Sequence, residues 1–229
     1  MNNNHIIIGY GNWGKKITAF LKKKNFFSKI YIKTRNKYFE CDKKGKLLEK
    51  EFLNTENQLN SAHICTPVDS HFFYLNKFIH LNKIIVEKPF LKNLSQFNKI
   101  QKKFNKKNQL IVNYTYLFNP ILINLKSKIN EKTKAKIVIN FSKKNKLYKK
   151  KYDCIHDWLD HPLSIILFLF KKFKKFKIIR MQFIKKKGFK EKLSMMYFYK
   201  NQTIEININN SKIDKKEITL EKNFKKKTY

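Results

Sequence analysis

The chain has 229 residues, 42% of them hydrophobic, enough for one large or two small domains with a sizeable core, and no collagen-like, disulfide-rich or disordered bias. Its formal net charge of +36 is the footprint of a nucleic-acid or anionic-membrane binder, yet only two of the 52 basic residues are arginines, Arg35 and Arg180. Phosphate and base recognition recruit arginine for its planar fork, and lysine, asparagine, isoleucine and phenylalanine crowd the whole chain as they would if an A+T-rich genome filled tolerant positions. The lysine runs therefore read as solvated surface, and nucleic acid is not an expected partner.

Three separated cysteines, Cys41, Cys65 and Cys154, form no C-x-x-C pair, so neither a disulfide framework nor a metal site is expected and a reduced, cytoplasmic setting fits. Met1 to Asn4 show no features of a secretory leader. The longest apolar run, Leu163 to Phe170, is too short to span a bilayer, so no membrane partner is expected.

In chain order, His5 to Ile8 reads as a short buried strand. Gly9, Gly11 and Gly14, with Tyr10, Asn12 and Trp13 between them, form a G-x-G-x-x-G turn. An apolar helical face of Trp13, Ile17, Phe20 and Leu21 begins at once. Strand, glycine turn and helix in this order make a dinucleotide-binding fingerprint: Gly9 for the tight turn, Gly11 for bare backbone against a pyrophosphate, Gly14 for close packing of helix on strand. Lys29 to Lys33 alternates as a second strand ending at Thr34-Arg35. An acid near this position takes the ribose hydroxyls of NAD, whereas a neutral residue followed by a base accommodates the phosphate of NADP. Thr34 and Arg35 thus favour NADP over NAD.

Tyr38 to Asn60 carries a turn at Asp42 to Gly45 and a short strand or helix at Leu47 to Leu53. Ala62 to Cys65 is a strand closing in Thr66-Pro67, followed by a helix through His71, Phe72, Leu75, Phe78 and Ile79. Lys83 to Val86 is a strand running into Glu87-Lys88-Pro89; a helix with Leu94, Phe97, Ile100 and Phe104 follows, then a strand from Leu110 to Tyr116. This alternation predicts α/β architecture, a Rossmann doubly wound parallel sheet over residues 1–117.

Residues 118–229 predict an α+β domain with an open, mainly antiparallel sheet and helices on one face. Asn119-Pro120 opens a helix through Leu122, Leu125 and Ile129. Strands are expected at Ala135 to Ser142, Phe176 to Phe183, Leu193 to Lys200, Thr203 to Asn210 and Glu217 to Leu220, with an apolar helix near Leu163 to Phe170 and a tight turn at Asn201-Gln202. An exposed apolar sheet face would be a liability for a monomer, so a homo-oligomer is expected.

With Glu87-Lys88-Pro89 placed, the chain resembles the Gfo/Idh/MocA oxidoreductases, the glucose-fructose oxidoreductase and inositol dehydrogenase family. Gly9-Tyr10-Gly11-Asn12-Trp13-Gly14 is similar to the family's G-Y-G-x-W-G variant; Thr66-Pro67 with His71 resembles its T-P-x-x-x-H segment; Glu87-Lys88-Pro89 matches its E-K-P; Asp157 with His161 fits its D-x-x-x-H pair. Val112 to Pro120 resembles the segment leading into the second domain, especially in members acting on nucleotide-linked sugars. The resemblance implies an NAD(P)-dependent dehydrogenase acting on a sugar, cyclitol or nucleotide-sugar, with surface-polysaccharide biosynthesis as its setting.

The resemblance assigns Lys88 to steadying the developing alkoxide and His161 to taking the hydroxyl proton, with Asp157 orienting His161 or bonding the substrate. Glu87, Thr66 and Pro67 would lie beside the nicotinamide and its ribose, with His71 in the same set. The residues leave alternatives: Asp160 competes with Asp157, His156 is a rival base, and either aspartate suits a helix N-cap before an apolar helix opened by His161-Pro162. The chain departs from the family in having Leu159 where that pair usually holds a glycine, and in a shorter second domain, so a relative that keeps the dinucleotide site as a sensor or scaffold is the second reading.

Overall fold

The computed structural model describes residues 4–24, 29–42, 44–50, 58–104, 107–129, 134–144, 155, 158–170, 177–186, 189–211, 213–222 and 225–228. The chain divides into two compact units, Met1–Asn113 and Tyr114–Tyr229. Among the described residues no helix is long and apolar enough to cross a membrane.

The first unit is built on a seven-stranded sheet: β1 (Asn4–Ile8), β2 (Ile30–Lys33), β3 (Tyr38–Cys41), β4 (Leu47–Lys50), β5 (Leu59–Ile64), β6 (Lys83–Glu87) and β7 (Gln109–Asn113), in the order β4-β3-β2-β1-β5-β6-β7. Strands β2, β1, β5, β6 and β7 run parallel, whereas β3 and β4 pair antiparallel and extend the edge. The polar stretch after Arg35 is thus a hairpin, its turn closed by Gly45 N–H donating to Asp42 O and Lys46 N–H to Asp42 Oδ1.

Central strands buried on both faces read as unbroken apolar runs, and Ile6-Ile7-Ile8 shows why. Ile6 and Ile8 face a core with Ile64, Val86, Leu75 and Phe78 of helix α2 (His71–Phe78) and Ile100 of helix α3 (Leu94–Lys103). Ile7 faces the other way, onto Ile32 and Leu21 of helix α1 (Asn12–Lys24). The buried stripe of α1 is Gly14, Thr18 and Leu21; Phe20, expected on that face, is exposed. The strand expected to reach Tyr116 stops at Asn113, and Thr115–Phe118 forms a 3-10 turn.

The second unit is an α+β layer. Its six-stranded sheet comprises β8 (Ala135–Lys144), β9 (Lys177–Lys186), β10 (Phe189–Tyr199), β11 (Gln202–Ser211), β12 (Lys215–Lys222) and β13 (Lys225–Thr228), ordered β13-β12-β8-β11-β10-β9. Every pairing is antiparallel except the parallel β8–β11 contact in the middle. The hairpin between β10 and β11 closes on Tyr199↔Gln202, so its two linking residues are Lys200 and Asn201, one earlier than expected, with Lys200 left-handed at φ 52.

One sheet face buries Ile137, Ile139, Phe141, Tyr197, Ile204 and Ile206 under helix α4 (Pro120–Lys128) and helix α5 (Asp160–Leu169). Asn119 caps α4 by accepting the Ile121 N–H, with Pro120 in the first turn where its missing N–H costs nothing. The opposite face of the central strands is a polar ladder: Asn207 donates to Asn140 and Glu205, Ser194 donates to Asn207, and Lys136 pairs with Glu205. Among the described residues of this sheet, exposed apolar side chains lie on edge strand β9, at Ile178, Ile179, Met181, Phe183 and Ile184, and on its neighbour β10, at Phe198.

Inside the first unit His63 on β5 meets His5 on β1 edge-to-face at 5.9 Å, and the His5 Nδ1 lies 2.6 Å from Ser61 Oγ. His63 is 7% exposed with its Nδ1 unpartnered. Burial, with the charges of His5 and Lys83 adding to it, pushes its pKa down from 6.5 to about 4. The unfolded chain therefore binds a proton between those values that the folded chain refuses, and stability falls as pH drops from 6.5 toward 4. His63→Leu is expected to remove a penalty of about 2 kcal/mol at pH 5 while changing pH dependence little above pH 7, read by urea unfolding of both proteins at pH 5 and 8. Parallel stability curves would contradict the assignment.

Candidate functional site

Five loops leave the carboxyl ends of the parallel strands at one edge of the first unit's sheet. The chain order reverses between β1 and β5, which makes the gap between their following loops the switch point where open α/β sheets bind ligands. Gly9 follows β1 with φ +91, its N–H bound to Lys33 O at 2.8 Å; a Cβ there would lie 2.9 Å from Cys65 O and from the Thr66 side chain. Gly14 is tighter still, since a Cβ would fall 2.1 Å from Gly9 O. Gly11 is the opposite case: a Cβ would meet no heavy atom within 4 Å. Two glycines are thus required by the protein's own packing, while the third opens bare backbone at the start of α1, where free N–H groups favour an anion. Tyr10 and Trp13 are half-buried on either side and Asn12 is exposed. This set fits a dinucleotide pyrophosphate.

The loop after β2 places the expected ribose-phosphate determinants. Thr34 Oγ1 accepts the Lys37 N–H at 3.2 Å and donates to Lys37 O at 3.1 Å, so its hydroxyl closes the turn. Lys33 Nζ bonds Arg35 O and stands 4.3 Å over the Tyr38 ring, and Lys37 pairs with Glu49 at 2.8 Å. The Arg35 guanidinium is exposed, with no ion pair among the described residues.

The loops after β5 and β6 are stapled by His71. Its Nε2 lies 2.7 Å from Thr66 O, and its Nδ1 lies 3.0 Å from Pro89 O and 3.1 Å from Phe90 O. Expected among cofactor-binding residues, His71 is fully buried with both nitrogens on backbone carbonyls, and what it positions is the Thr66-Pro67 turn against the loop that follows Lys88. Pro67 is exposed, and Thr66 Oγ1 accepts from Ser70 at 2.7 Å.

Glu87 ends β6 next to Lys88. Burial raises its carboxyl above the usual carboxylate range, while a hydrogen bond from Asn113, the Trp13 indole and the Lys88 charge pull it back in part. Trp13 turns its buried N–H toward that carboxylate without reaching hydrogen-bond geometry. The Trp13 indole after the glycine turn thus lies beside the carboxylate that precedes Lys88, and Asn113 of β7 donates to that carboxylate, a proximity that motif spacing does not reveal.

In the second unit His161 sits in the first turn of α5, 8% exposed. Tyr116 meets it edge-on at 4.5 Å, Trp158 at 5.8 Å, and Phe141 stacks parallel at 6.3 Å. The sequence does not reveal this cluster of rings, because Tyr116 reads as a strand residue and Phe141 as ordinary core. Asp160 is adjacent, and the helix is not capped by a side chain, so Asp160 is not its N-cap. Burial and the nearby Asp160 push Tyr114 up to about 12. Asp157 and His156 lie outside the described residues.

No protein-family profile matches the sequence, and no curated protein does. Solved structures do. An oxidoreductase of the Gfo/Idh/MocA family from Vibrio cholerae is 13% identical with a TM-score of 0.74, over 100% of this chain and 81% of that one. A UDP-N-acetylglucosamine 3-dehydrogenase, GnnA, from Acidithiobacillus ferrooxidans is 9% identical with a TM-score of 0.77, over 100% and 83%. GenD2 from gentamicin A biosynthesis, in complex with NAD, is 9% identical with a TM-score of 0.75, over 100% and 72%. The chain has the fold of these oxidoreductases.

The glycine geometry separates two roles by experiment. Gly14→Ala must displace backbone and is expected to lose about 2–3 kcal/mol of unfolding free energy, whereas Gly11→Ala should stay within about 0.5 kcal/mol of wild type. Equal losses in chemical denaturation would contradict the division.

Proposed function

We propose that this chain is a Gfo/Idh/MocA oxidoreductase that transfers hydride between NADP, or less favourably NAD, and a hydroxyl-bearing carbon of a sugar, cyclitol or nucleotide-sugar. The observation that carries the reading is the open Gly11 backbone at the switch point, one strand from the Thr66-Pro67 turn and two from Glu87-Lys88. Fold likeness to a UDP-sugar dehydrogenase and to an NAD complex supports the substrate class and the cofactor class.

In this reading the turn from Gly9 to Gly14, including Tyr10, Asn12 and Trp13, holds the pyrophosphate, and Thr34 with Arg35 receives the ribose phosphate. The bound nicotinamide supplies the hydride acceptor. Thr66, Pro67 and Glu87 would lie beside it and its ribose, with His71 holding their loops in register. His161 accepts the substrate hydroxyl proton while the Lys88 ammonium holds the oxygen charge that develops as the carbon loses hydride. Asp157 orients His161 or bonds the substrate. The burial of His161 among aromatic rings suits a base that must be kept from bulk water.

Titration of NADPH and NADH by nicotinamide fluorescence tests the reading. Wild type is expected to prefer NADPH; Arg35→Ala should weaken NADPH about tenfold and leave NADH unchanged. Gly11→Val should abolish binding of both without lowering the thermal midpoint. Binding of neither cofactor to wild type, or undiminished binding to Gly11→Val, would overturn it.

A further inference from the structure

Strand β12 carries two consecutive lysines in different settings. Lys215 Nζ is paired with Glu217 at 2.8 Å. Lys216 lies opposite Phe141 of β8, in line with the buried Ile218 and Leu220. Its Nζ stands 5.1 Å from the Tyr116 ring centroid and 5.0 Å from that of Trp158. These are two of the three rings around His161.

An ammonium over two ring faces is attracted by their quadrupoles, but the rings leave its full charge in place. No carboxylate pairs with Lys216 among the described residues, and the side chain is exposed whereas His161 is buried. An imidazole and an ammonium with no carboxylate partner among the described residues thus lie around the same pair of rings, Tyr116 and Trp158.

We infer that Lys216 binds an anionic group of the substrate, a carboxylate or a phosphate carried by the sugar, in a subsite that shares Tyr116 and Trp158 with His161. The inference rests on the proposal that His161 receives the sugar hydroxyl, and it narrows the substrate to an acidic sugar. The half-buried Tyr116 ring offers apolar surface to the C–H face of the sugar ring, and the ammonium fixes its orientation by a charge-assisted hydrogen bond.

The test is calorimetric titration of the full chain with glucuronate, glucose 1-phosphate and glucose, comparing wild type with Lys216→Met, Lys216→Arg and Lys215→Met. At least one anionic sugar is expected to bind more tightly than glucose, and which one identifies carboxylate or phosphate as the group. Lys216→Met should weaken it at least about tenfold with glucose unchanged, Lys216→Arg should retain it, and Lys215→Met, removing the same net charge, should change it less than about twofold. No preference for an anionic sugar, equal losses for charged and neutral sugars, or equal effects of the two lysine-to-methionine variants would each overturn the inference. NADPH titration in parallel separates the two claims. Cofactor binding without Lys216 dependence sinks the subsite alone, and anion binding through Lys216 without cofactor binding sinks the oxidoreductase reading alone.

Discussion

The approach of Gly14 to the Gly9 carbonyl is the constraint on which the first unit depends. A methyl group at residue 14 would sit 2.1 Å from that oxygen, so the start of α1 is held against the end of β1 as closely as two backbones allow. The same contact brings the first turn of the helix to the strand edge with Gly11 facing open space. Thr18 Oγ1 donating to Gly14 O at 2.8 Å and Leu21 in the core continue the contact down the helix. A nonpolar requirement, close packing of helix on sheet, thus creates a polar opportunity at its end.

Around that edge the loops are joined by buried polar contacts. His71 ties the Thr66 turn to Pro89 and Phe90, and Glu87 gathers Asn113, the Trp13 indole and Lys88. Such contacts in a partly buried site hold a constellation more firmly than loops do alone. The residues named by sequence motifs therefore divide into those that face open space, such as Gly11 and Arg35, and those that position them, such as Gly14 and His71.

Most of the fold was legible because its signals are local. The Ile6 to Ile8 run, the three glycines and the helical spacing of Leu75 and Phe78 each report one element's own environment. The misses share a cause in non-local packing. Phe20 fits a helical apolar face but is exposed, because Gly14, Thr18 and Leu21 are what meet the sheet. Tyr116 has strand propensity, yet its backbone turns and its ring packs edge-on against His161. Asn140, Asn207 and Glu205 alternate with isoleucines, but only the register of three strands shows that they bond one another. Lys216 is one of fifty lysines, 52 basic residues less two arginines, and nothing local distinguishes it from the rest.

The charge of the chain takes on a narrower meaning in this light. Lysines dispersed over a surface raise the local concentration of any anion, and specificity must come from where one of them is held. Arg35 in the loop after β2 and Lys216 over two rings are the places proposed for this, one in each unit. The most direct test of the central claim is a crystal structure of the protein with NADPH. The account predicts the pyrophosphate against the Gly11 backbone at the start of α1 and the ribose phosphate on Arg35. A pyrophosphate bound elsewhere, with the Gly9 to Gly14 turn left empty, would contradict it.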